Sequence, residues 1–241
     1  MTVTKAPIAA STLEKLRGVC TATLSTQLFK LGFRNTFIPG LVALSPGMRM
    51  VGEATTLRLV PAREDLATFD AISKPDYAQR VAIEGTRPGQ VLVVEARGEM
   101  GAAVGGEVYM TRLQVLGAAG YVIDGCVRDY PTIQKMGFPV YAKGAASPPH
   151  PVKHLAIEVD CPIGCAGVLV MPGDILVGDG EGVVCVPRHV AEQVAQSGAD
   201  LDQLETFVLE KLRAGAPVPG TYPPNEATLK EYENWKRRPS L

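Results

Sequence analysis

The chain reads Gly101-Ala-Ala-Val-Gly-Gly-Glu107 and, further on, Tyr121-Val-Ile-Asp-Gly-Cys-Val-Arg128-Asp129-Tyr130-Pro131, and these two stretches indicate the fold class most clearly. Apolar residues between them recur near helical spacing, which predicts a helix over 106–116 with Glu107 in its first turn. The run 121–124 is typical of a buried strand, so Arg128 and Asp129 follow its carboxyl end, where α/β sheets commonly bind ligands. This alternation of strand and helix indicates an α/β fold.

Glu107, Arg128 and Asp129 are the candidate site residues, with a twenty-residue spacer between the acid and the Arg-Asp pair. A hard divalent cation prefers carboxylate oxygen, and a guanidinium pairs with a carboxylate or keto oxygen of a substrate. The glycine-rich loop precedes a helix N-terminus, whose free N–H groups can hold an anion. The pattern therefore predicts a metal-assisted site for a substrate that carries a carboxylate.

The same three residues also have purely structural interpretations. Asp129 could cap a helix predicted to start at Pro131, Glu107 could be a first-turn acid, and Arg128 a surface ion pair. The pattern of an acid, a twenty-residue spacer and an Arg-Asp pair occurs by chance in about one chain in fifteen of this length. The spacing alone therefore does not decide between the metal-assisted site and these structural roles. Cys126 and His154 are better explained as structural residues than as reactive ones.

Composition excludes several classes of function. The 24 basic and 25 acidic residues give a formal net charge of −1, so the chain offers no global positive field for nucleic acid. Residues 1–7 lack the apolar core of a signal peptide, and no later run approaches the roughly 18 apolar residues of a membrane span. We therefore expect a cytoplasmic protein with neither a nucleic-acid nor a membrane partner.

The five cysteines are an odd number in strand-like contexts, which indicates buried thiols rather than a disulfide framework. Cys161 and Cys165 form one Cys-x3-Cys pair, but the three histidines do not complete a zinc spacing. The residue pattern thus disfavours a structural zinc site.

Further elements are predicted along the chain. Ser11 and Glu14 have the spacing of a capping box for a helix ending at Gly18, and a second helix is predicted over 24–31. Strands are predicted over 48–51, 54–60, 90–95, 138–142, 156–159, 167–171, 175–177 and 183–186, the last three as a β-meander. A turn at 179–182 explains Asp179 and Glu181, because short acids favour turns.

The sequence beyond about Arg188 is predicted to be helical, with a break near 197–198, a proline-rich hinge over 216–224 and a final helix, capped by Asn225, that ends near Arg238. We therefore divide the chain into a domain over 1–187 and a helical C-terminal extension over 188–241. The extension is expected to pack on a neighbouring subunit.

From about Thr21 to Arg188 the sequence resembles the family of the regulator of ribonuclease activity A and the class II, divalent-metal pyruvate aldolases, which include 4-hydroxy-4-methyl-2-oxoglutarate aldolase. The resemblance lies in Gly105-Gly-Glu107, Val122-Ile-Asp-Gly-Cys-Val-Arg128-Asp129, Gly137-Phe-Pro-Val-Tyr141 and Pro172-Gly-Asp-Ile-Leu-Val-Gly-Asp-Gly-Glu-Gly-Val-Val-Cys-Val-Pro187. It implies a swivelling β/β/α domain with central sheet layers and flanking helices, assembled as a homotrimer or a hexamer, with active sites between subunits.

The resemblance also implies roles for individual residues. The aldolases' motif of Asp, twenty residues and Arg-Asp falls on Glu107, Arg128 and Asp129, so Asp129 would ligate Mg²⁺ or Mn²⁺ and Arg128 would bind substrate oxygens. The backbone of Gly106, Glu107, Val108 and Tyr109 would receive the carboxylate of the substrate. Glu107 replaces the aldolases' Asp, and Ser25-Thr-Gln-Leu28 lacks an acid that many relatives carry. Glu205 is a possible match for an acid supplied by a neighbouring subunit.

These residues predict a lyase that cleaves a 4-hydroxy-2-oxo acid to pyruvate and an aldehyde or oxo acid. Decarboxylation of oxaloacetate passes through the same enolate and is expected as a side activity. A Schiff-base route is disfavoured because Lys135 and Lys143 lie outside the motif. Two alternatives remain: a non-catalytic regulator that binds and inhibits a ribonuclease or other protein, and a sugar-acid lyase or dehydratase that uses the same enolate chemistry.

Overall fold

The computed structural model describes residues 8–237, so residues 1–7 and 238–241, including the end of the last helix predicted near Arg238, lie outside the described residues. The α-helices are α1 (Ala10–Gly18), α2 (Thr21–Lys30), α3 (Phe69–Ser73), α4 (Ala78–Gly85), α5 (Glu107–Val115), α6 (Tyr130–Ile133), α7 (Ala191–Arg213) and α8 (Glu226–Lys236). The strands are β1 (Phe37–Ile38), β2 (Val42–Ala43), β3 (Met50–Pro61), β4 (Gln90–Glu95), β5 (Gly120–Ile123), β6 (Cys126–Val127), β7 (Val140–Ala142), β8 (Gly144–Ala145), β9 (His154–Val159), β10 (Ile163–Cys165), β11 (Val168–Val170), β12 (Ile175–Gly178) and β13 (Val183–Val186). Short 3₁₀ helices span His150–Val152 and Arg188–Val190.

A large mixed sheet forms the centre of the molecule, in the order β1-β13-β12-β3-β4-β5-β7-β2, with β9 also paired to β3. β3, β4, β5 and β7 run parallel, and the other pairs of this sheet are antiparallel. β12 pairs with the first part of β3 and β9 with its last part. The two strands predicted over 48–51 and 54–60 are therefore one twelve-residue strand.

The core strands are buried on both faces, as parallel strands with flanking layers must be. Leu92 and Val94 pack into a cluster with Met110 and Leu113 of α5, whereas Val91 and Val93 pack on the opposite face with residues of β10 and β11. Each fully buried aliphatic side chain stabilises the fold by roughly 1.5–3 kcal/mol relative to an exposed one. The result is a layer of helices, the central sheet and a second small sheet, which confirms the predicted α/β class.

α1, α2 and the first half of α7 pack together over β12 and β13, around Leu16, Leu24 and Val194. The break predicted near 197–198 is wrong, because α7 continues without interruption from Ala191 to Arg213. Gly198 is buried within this helix, and a Cβ placed on it would lie 2.9 Å from Val19 Cγ1. The glycine therefore permits close packing of the helix rather than ending it.

The predicted N-terminal caps are corrected by the structure. α1 has Ala9 at its N-cap without a side-chain cap, so Ser11 lies inside the helix and Glu14 pairs with Arg17 at 3.0 Å. α2 starts at Thr21 rather than at residue 24. Its N-cap is Cys20, whose Sγ accepts the Thr23 amide at 3.4 Å, and Asp179 accepts hydrogen bonds from the Thr21 amide and hydroxyl, both at 2.8 Å. Cysteine is not among the preferred N-cap residues, and Asp179 lies far along the chain, so neither contact is a recognisable pattern in the sequence.

The predicted β-meander is confirmed for its last two strands and wrong for its first. β11 pairs with β10 in a separate two-stranded sheet, whereas β12 pairs with β13 and β3. Asp174 accepts the Met171 amide at 2.9 Å, and this turn moves the chain from one sheet to the other.

The predicted cap of the last helix is confirmed, because Asn225 Oδ1 accepts the Thr228 amide at 2.9 Å, and α8 ends at Lys236. α8 packs on α7 through a cluster that includes Phe207 and Tyr232. Contact of this extension with a neighbouring subunit stays a prediction. Within residues 8–237, no helix combines the length and apolar character that crossing a bilayer requires.

Candidate functional site

The loop before α5 runs beside the segment that carries the Arg-Asp pair. The Val104 amide donates to Cys126 O at 3.0 Å, and the Arg128 amide donates to Gly105 O at 2.8 Å. Buried Gln79 of α4 donates through Nε2 to Val104 O and ties the same loop to that helix. The helix predicted over 106–116 is confirmed as α5, with Gly106 at its N-cap and Glu107 as its first residue. These backbone bonds bring the N-terminus of α5 against Arg128 and Asp129.

Asp129 adopts a left-handed backbone conformation, with φ 57° and ψ 31°, which is uncommon for a residue other than glycine. Its Oδ2 accepts the Glu107 amide at 3.1 Å and lies 3.6 Å from Arg128 Nε. It stands at the N-cap of α6 but makes no side-chain cap there. The interpretation of Asp129 as a cap for the helix at Pro131 is therefore confirmed for its position in the chain and wrong for its side chain. Its carboxylate instead faces the positive end of α5.

Arg128 and Asp129 lie between two cavities. The first has a volume of about 400 Å³ and is lined by Phe69, Ile72, Arg80, Ala103, Val104, Gly105, Gly106, Val108, Tyr109, Arg128, Asp129, Pro149 and His150. The second, of about 440 Å³, is lined by Arg128, Asp129, Tyr130, Pro131, Ala145, Ala146 and Ser147. The side chains of Arg128 and Asp129 are 51% and 37% exposed, so solvent and small ligands can reach both.

Most of the predicted site residues meet in the first cavity, but Glu107 differs from the rest. The Glu107 amide donates to the Asp129 carboxylate, and the exposed Glu107 side chain does not line the first cavity. The first intrahelical bond of α5 runs from the Met110 amide to Gly106 O, at 3.1 Å. Helix geometry therefore leaves the amides of Val108 and Tyr109 as the donors for an anion.

The first cavity also contains residues that the sequence did not reveal. Phe69, Ile72 and Arg80 come from α3 and α4, and Pro149 and His150 from the loop before β9. They lie at least twenty residues from the Arg-Asp pair in sequence and share no spacing with it. Only the packing of α4 against α5 and β9 brings them to the site.

His150 is a neutral group in this cavity. Its ring stacks on Tyr77 with centroids 5.7 Å apart, and its Nε2 lies 3.2 Å from the Tyr77 hydroxyl. Burial, and then the charges of His154 and Arg80, lower the pKa of His150 to about 4. The imidazole is therefore uncharged near neutral pH and offers hydrogen bonds without a positive charge.

This shift predicts a pH dependence of stability. A histidine of the unfolded chain has a pKa near 6.5, so acidification protonates the unfolded chain before folded His150. The free energy of unfolding should fall by up to about 3 kcal/mol between pH 6.5 and pH 4, and His150→Gln should remove that part of the slope. Urea unfolding at a series of pH values measures it. His189→Gln, at an exposed position, is the control, and an identical slope in wild type and His150→Gln would contradict the assignment.

Other residues considered from the sequence lie elsewhere. All five cysteines are free, four of them buried, which confirms the prediction of buried thiols. Burial raises the pKa of Cys126, whose Sγ donates to Met100 O at 3.5 Å, so this thiol is not activated. Neither Lys135 nor Lys143 lines the two cavities. Glu205 lines a different cavity, formed by α2, α7 and residues 222–224, and its contribution to a neighbouring subunit's site stays a prediction.

The donor set at Asp129 can be compared with the needs of different metals. Asp129 is the one carboxylate that lines either cavity among residues 8–237, and this range holds no group of three His, Cys, Asp or Glu residues suited to a metal ion. Zinc in proteins takes three or four nitrogen and sulfur ligands, which this site does not offer. Mg²⁺ keeps several waters and needs one or two carboxylates, so the residues fit Mg²⁺ or the similar Mn²⁺.

Comparison with known proteins supports the relationship that the motifs indicate. A Halalkalibacterium halodurans protein, provisionally named a 4-hydroxy-4-methyl-2-oxoglutarate aldolase, is 32% identical over 163 residues, 66% of this chain and 73% of that protein. An uncharacterised protein from Pseudomonas syringae pv. tomato matches in structure with a TM-score of 0.78 and 27% identity, over 90% of this chain and all of the other. Streptomyces coelicolor RraAS2, described as an unusual member of the RNase ES inhibitor RraA family, matches with a TM-score of 0.74 and 31% identity, over 84% and 98%.

The model of one protein family matches residues 21–185, which include Arg128, Asp129 and the central sheet except the last residue of β13. The matched part ends before α7 and so excludes the C-terminal extension. The chain belongs to the RraA-like family, described as Aldolase/RraA.

Proposed function

We propose that this protein is a divalent-metal-dependent carbon–carbon lyase that cleaves a 4-hydroxy-2-oxo acid to pyruvate and an aldehyde or oxo acid. The observation that carries the proposal is the meeting of Asp129, Arg128 and the N-terminus of α5 at one accessible cavity. A carboxylate, a guanidinium and free helix amides are together suited to a 2-oxo acid. A homotrimer or hexamer, with a 2-oxo acid as its small-molecule substrate, remains part of this proposal.

Asp129 would hold Mg²⁺ or Mn²⁺, which when bound polarises the 2-oxo group of the substrate. The amides of Val108 and Tyr109 would bind the substrate's carboxylate at the N-terminus of α5. Arg128, beside Asp129, would donate to the 2-oxo oxygen. These contacts would orient the substrate with the bond between C3 and C4 in the cavity.

Cleavage of that bond leaves the electron pair on the pyruvyl part as an enolate. Arg128 would stabilise the negative charge that develops on the oxygen, and this contact strengthens as the bond breaks. Glu107 would direct a water that accepts the proton of the 4-hydroxyl group and then returns a proton to C3. Decarboxylation of oxaloacetate gives the same enolate, so the same residues would support it.

A second candidate is a regulator that binds a ribonuclease. The match to Streptomyces coelicolor RraAS2, a protein described as a member of an RNase inhibitor family, favours this candidate. Glu107 favours it too, because its side chain does not line the first cavity.

An assay of pyruvate release separates the two candidates. Purified protein is incubated with 4-hydroxy-2-oxo acids or oxaloacetate and Mg²⁺, and pyruvate is followed with lactate dehydrogenase. We expect turnover well above a protein-free sample containing the same metal, lost with EDTA and restored by Mg²⁺ or Mn²⁺. Activity that resists EDTA, or no pyruvate from any of these substrates, would contradict the lyase. Inhibition of a ribonuclease by the same inactive preparation would support the regulator.

A further inference from the structure

The segment that carries His150 is one of three neighbouring extended segments in the wall of the first cavity. Ala103 lies in the middle one and forms parallel bridges with Cys126 on one side and with Pro149 on the other. Because the three segments run parallel, Arg128 and His150 follow these bridges at the same end, and both line the cavity. Neighbouring strands lie about 4.8 Å apart, so about 10 Å separates the segments of Arg128 and His150. A short substrate held at Arg128 can therefore reach His150.

Buried Tyr77 fixes the orientation and the tautomer of this imidazole. The Tyr77 hydroxyl oxygen accepts the Ala156 amide at 2.9 Å and lies 3.2 Å from His150 Nε2. Burial raises the pKa of Tyr77, so the hydroxyl keeps its proton. The hydrogen bonds within residues 8–237 offer this proton no acceptor other than His150 Nε2. Nε2 therefore accepts, and the single proton of the neutral ring is on Nδ1.

The Nδ1–H group of His150 is free to bind a ligand. In the part of the chain that the structure describes, no hydrogen bond uses Nδ1, and this atom is not among the buried polar atoms that lack a partner. It is therefore accessible, in a side chain that lines the first cavity. Its pKa of about 4, lowered mainly by burial, keeps the ring uncharged near pH 7. The cavity thus contains a neutral donor in addition to its charged groups.

A neutral donor is suited to the oxygen on C4 of a 4-hydroxy-2-oxo acid. This oxygen belongs to a hydroxyl group before cleavage and to a carbonyl group afterwards, and it carries negative charge once its proton leaves. The proton passes to water, the electron pair of the bond between C3 and C4 moves to the enolate, and the oxygen forms the new C=O bond. A fixed N–H donor stabilises the transient charge and keeps its own proton throughout.

We propose that His150 is a catalytic residue whose Nδ1–H group donates a hydrogen bond to the oxygen on C4 of the substrate, in the tautomer that Tyr77 fixes. The inference rests on the proposed function for the identity of that oxygen. Tyr77 is a positioning residue, because it acts only through His150. Pyruvate has no C4, so exchange of its C3 protons with solvent uses the same enolate without this contact.

Two reactions of the same site, both with Mg²⁺, test this proposal. One is cleavage of 4-hydroxy-2-oxo acids, and the other is exchange of the C3 protons of pyruvate in D₂O, followed by NMR. His150→Gln keeps an acceptor for Tyr77 but has no donor at the position of Nδ1. It should lower cleavage by about a hundredfold and leave exchange within about twofold of wild type. His150→Asn, whose amide nitrogen replaces Nδ1, should recover part of the loss. His189→Gln, at an exposed position, is the control and should change neither rate.

A purely structural role of His150 would lower both reactions alike. Equal losses in His150→Gln, or cleavage near the wild-type rate, would overturn the role of His150 and leave the lyase standing. Wild type that cleaves no 4-hydroxy-2-oxo acid would reject the proposed reaction, and this role with it.

The tautomer is measured without turnover, by ¹⁵N NMR of protein labelled at its three histidines. His150→Gln identifies the signals of His150 by their loss. We expect the proton on Nδ1 in wild type and a mixture of both tautomers in Tyr77→Phe, because that variant removes the hydroxyl that donates to Nε2. A proton on Nε2 in wild type would overturn the proposal.

Discussion

Replacement of Asp129 by asparagine is expected to lower metal-dependent pyruvate formation by about a thousandfold or more. The substitution removes the negative charge that would hold the cation and leaves one amide oxygen as a weak ligand. Pyruvate release is measured over a range of Mg²⁺ concentrations, together with the thermal midpoint of the variant. High Mg²⁺ should recover little of the lost activity.

Asparagine is the appropriate replacement because it preserves the local structure. Asn tolerates the left-handed backbone conformation that Asp129 adopts, and its Oδ1 can accept the Glu107 amide in place of the carboxylate. Asp160→Asn is a matched control, since Asp160 is exposed and also has a positive φ, of 54°. Activity of Asp129→Asn near that of wild type, in the same Mg²⁺ range, would exclude Asp129 as the metal ligand.

Gly106→Ala should reduce the activity by about a hundredfold or more, because small displacements of catalytic groups have effects of this size. The backbone of Gly106 is extended, with φ −149°, so alanine meets no conformational strain there. Its Cβ would, however, collide with Asp129 Oδ2 and lie 2.7 Å from Arg128 Cγ. Both side chains must then move away from the N-terminus of α5. Steady-state kinetics with the best substrate measure the loss.

Gly18→Ala is the control for this second variant. Gly18 ends α1, and a Cβ added there would meet no atom within 4 Å. It should leave turnover unchanged and raise stability by about 0.5–1 kcal/mol. If Gly106→Ala keeps full activity, the close approach of Gly106 to the Arg-Asp pair has no functional importance.

Local patterns predicted part of this fold well. β4 has the predicted bounds 90–95, β13 the predicted bounds 183–186, and α5 differs by one residue at each end. These elements have apolar periodicity or strong turn residues on both sides, so their neighbours along the chain determine them. The site residues Arg128 and Asp129 could be found for the same reason, because a strand and a helix N-terminus flank them.

Interactions between distant parts of the chain account for most of the errors. Asp179 binds the first residue of α2, and Gly198 lets the uninterrupted helix α7 pack closely on Val19. β11 leaves the predicted meander because β10 is its partner. Arg80 and His150 reach the cavity only through packing of α4 and of the loop before β9. The pairing of β10 with β11 is a local hairpin that closes at residues 166 and 167, and the prediction overlooked it. The other contacts have no signature in one sequence, since each joins residues far apart along the chain.

The close packing of Gly198 against Val19 has a consequence for shortened forms of the protein. A chain ended at Gly215 would lose α8 but retain the helical surface that shields Leu16, Leu24 and Val194 from water. A chain ended at Pro187 would expose this apolar surface and invite aggregation. A shortened protein for expression or crystallisation should thus end in the proline-rich segment over 216–224. This segment begins about thirty residues after residue 185, where the match to the family model ends.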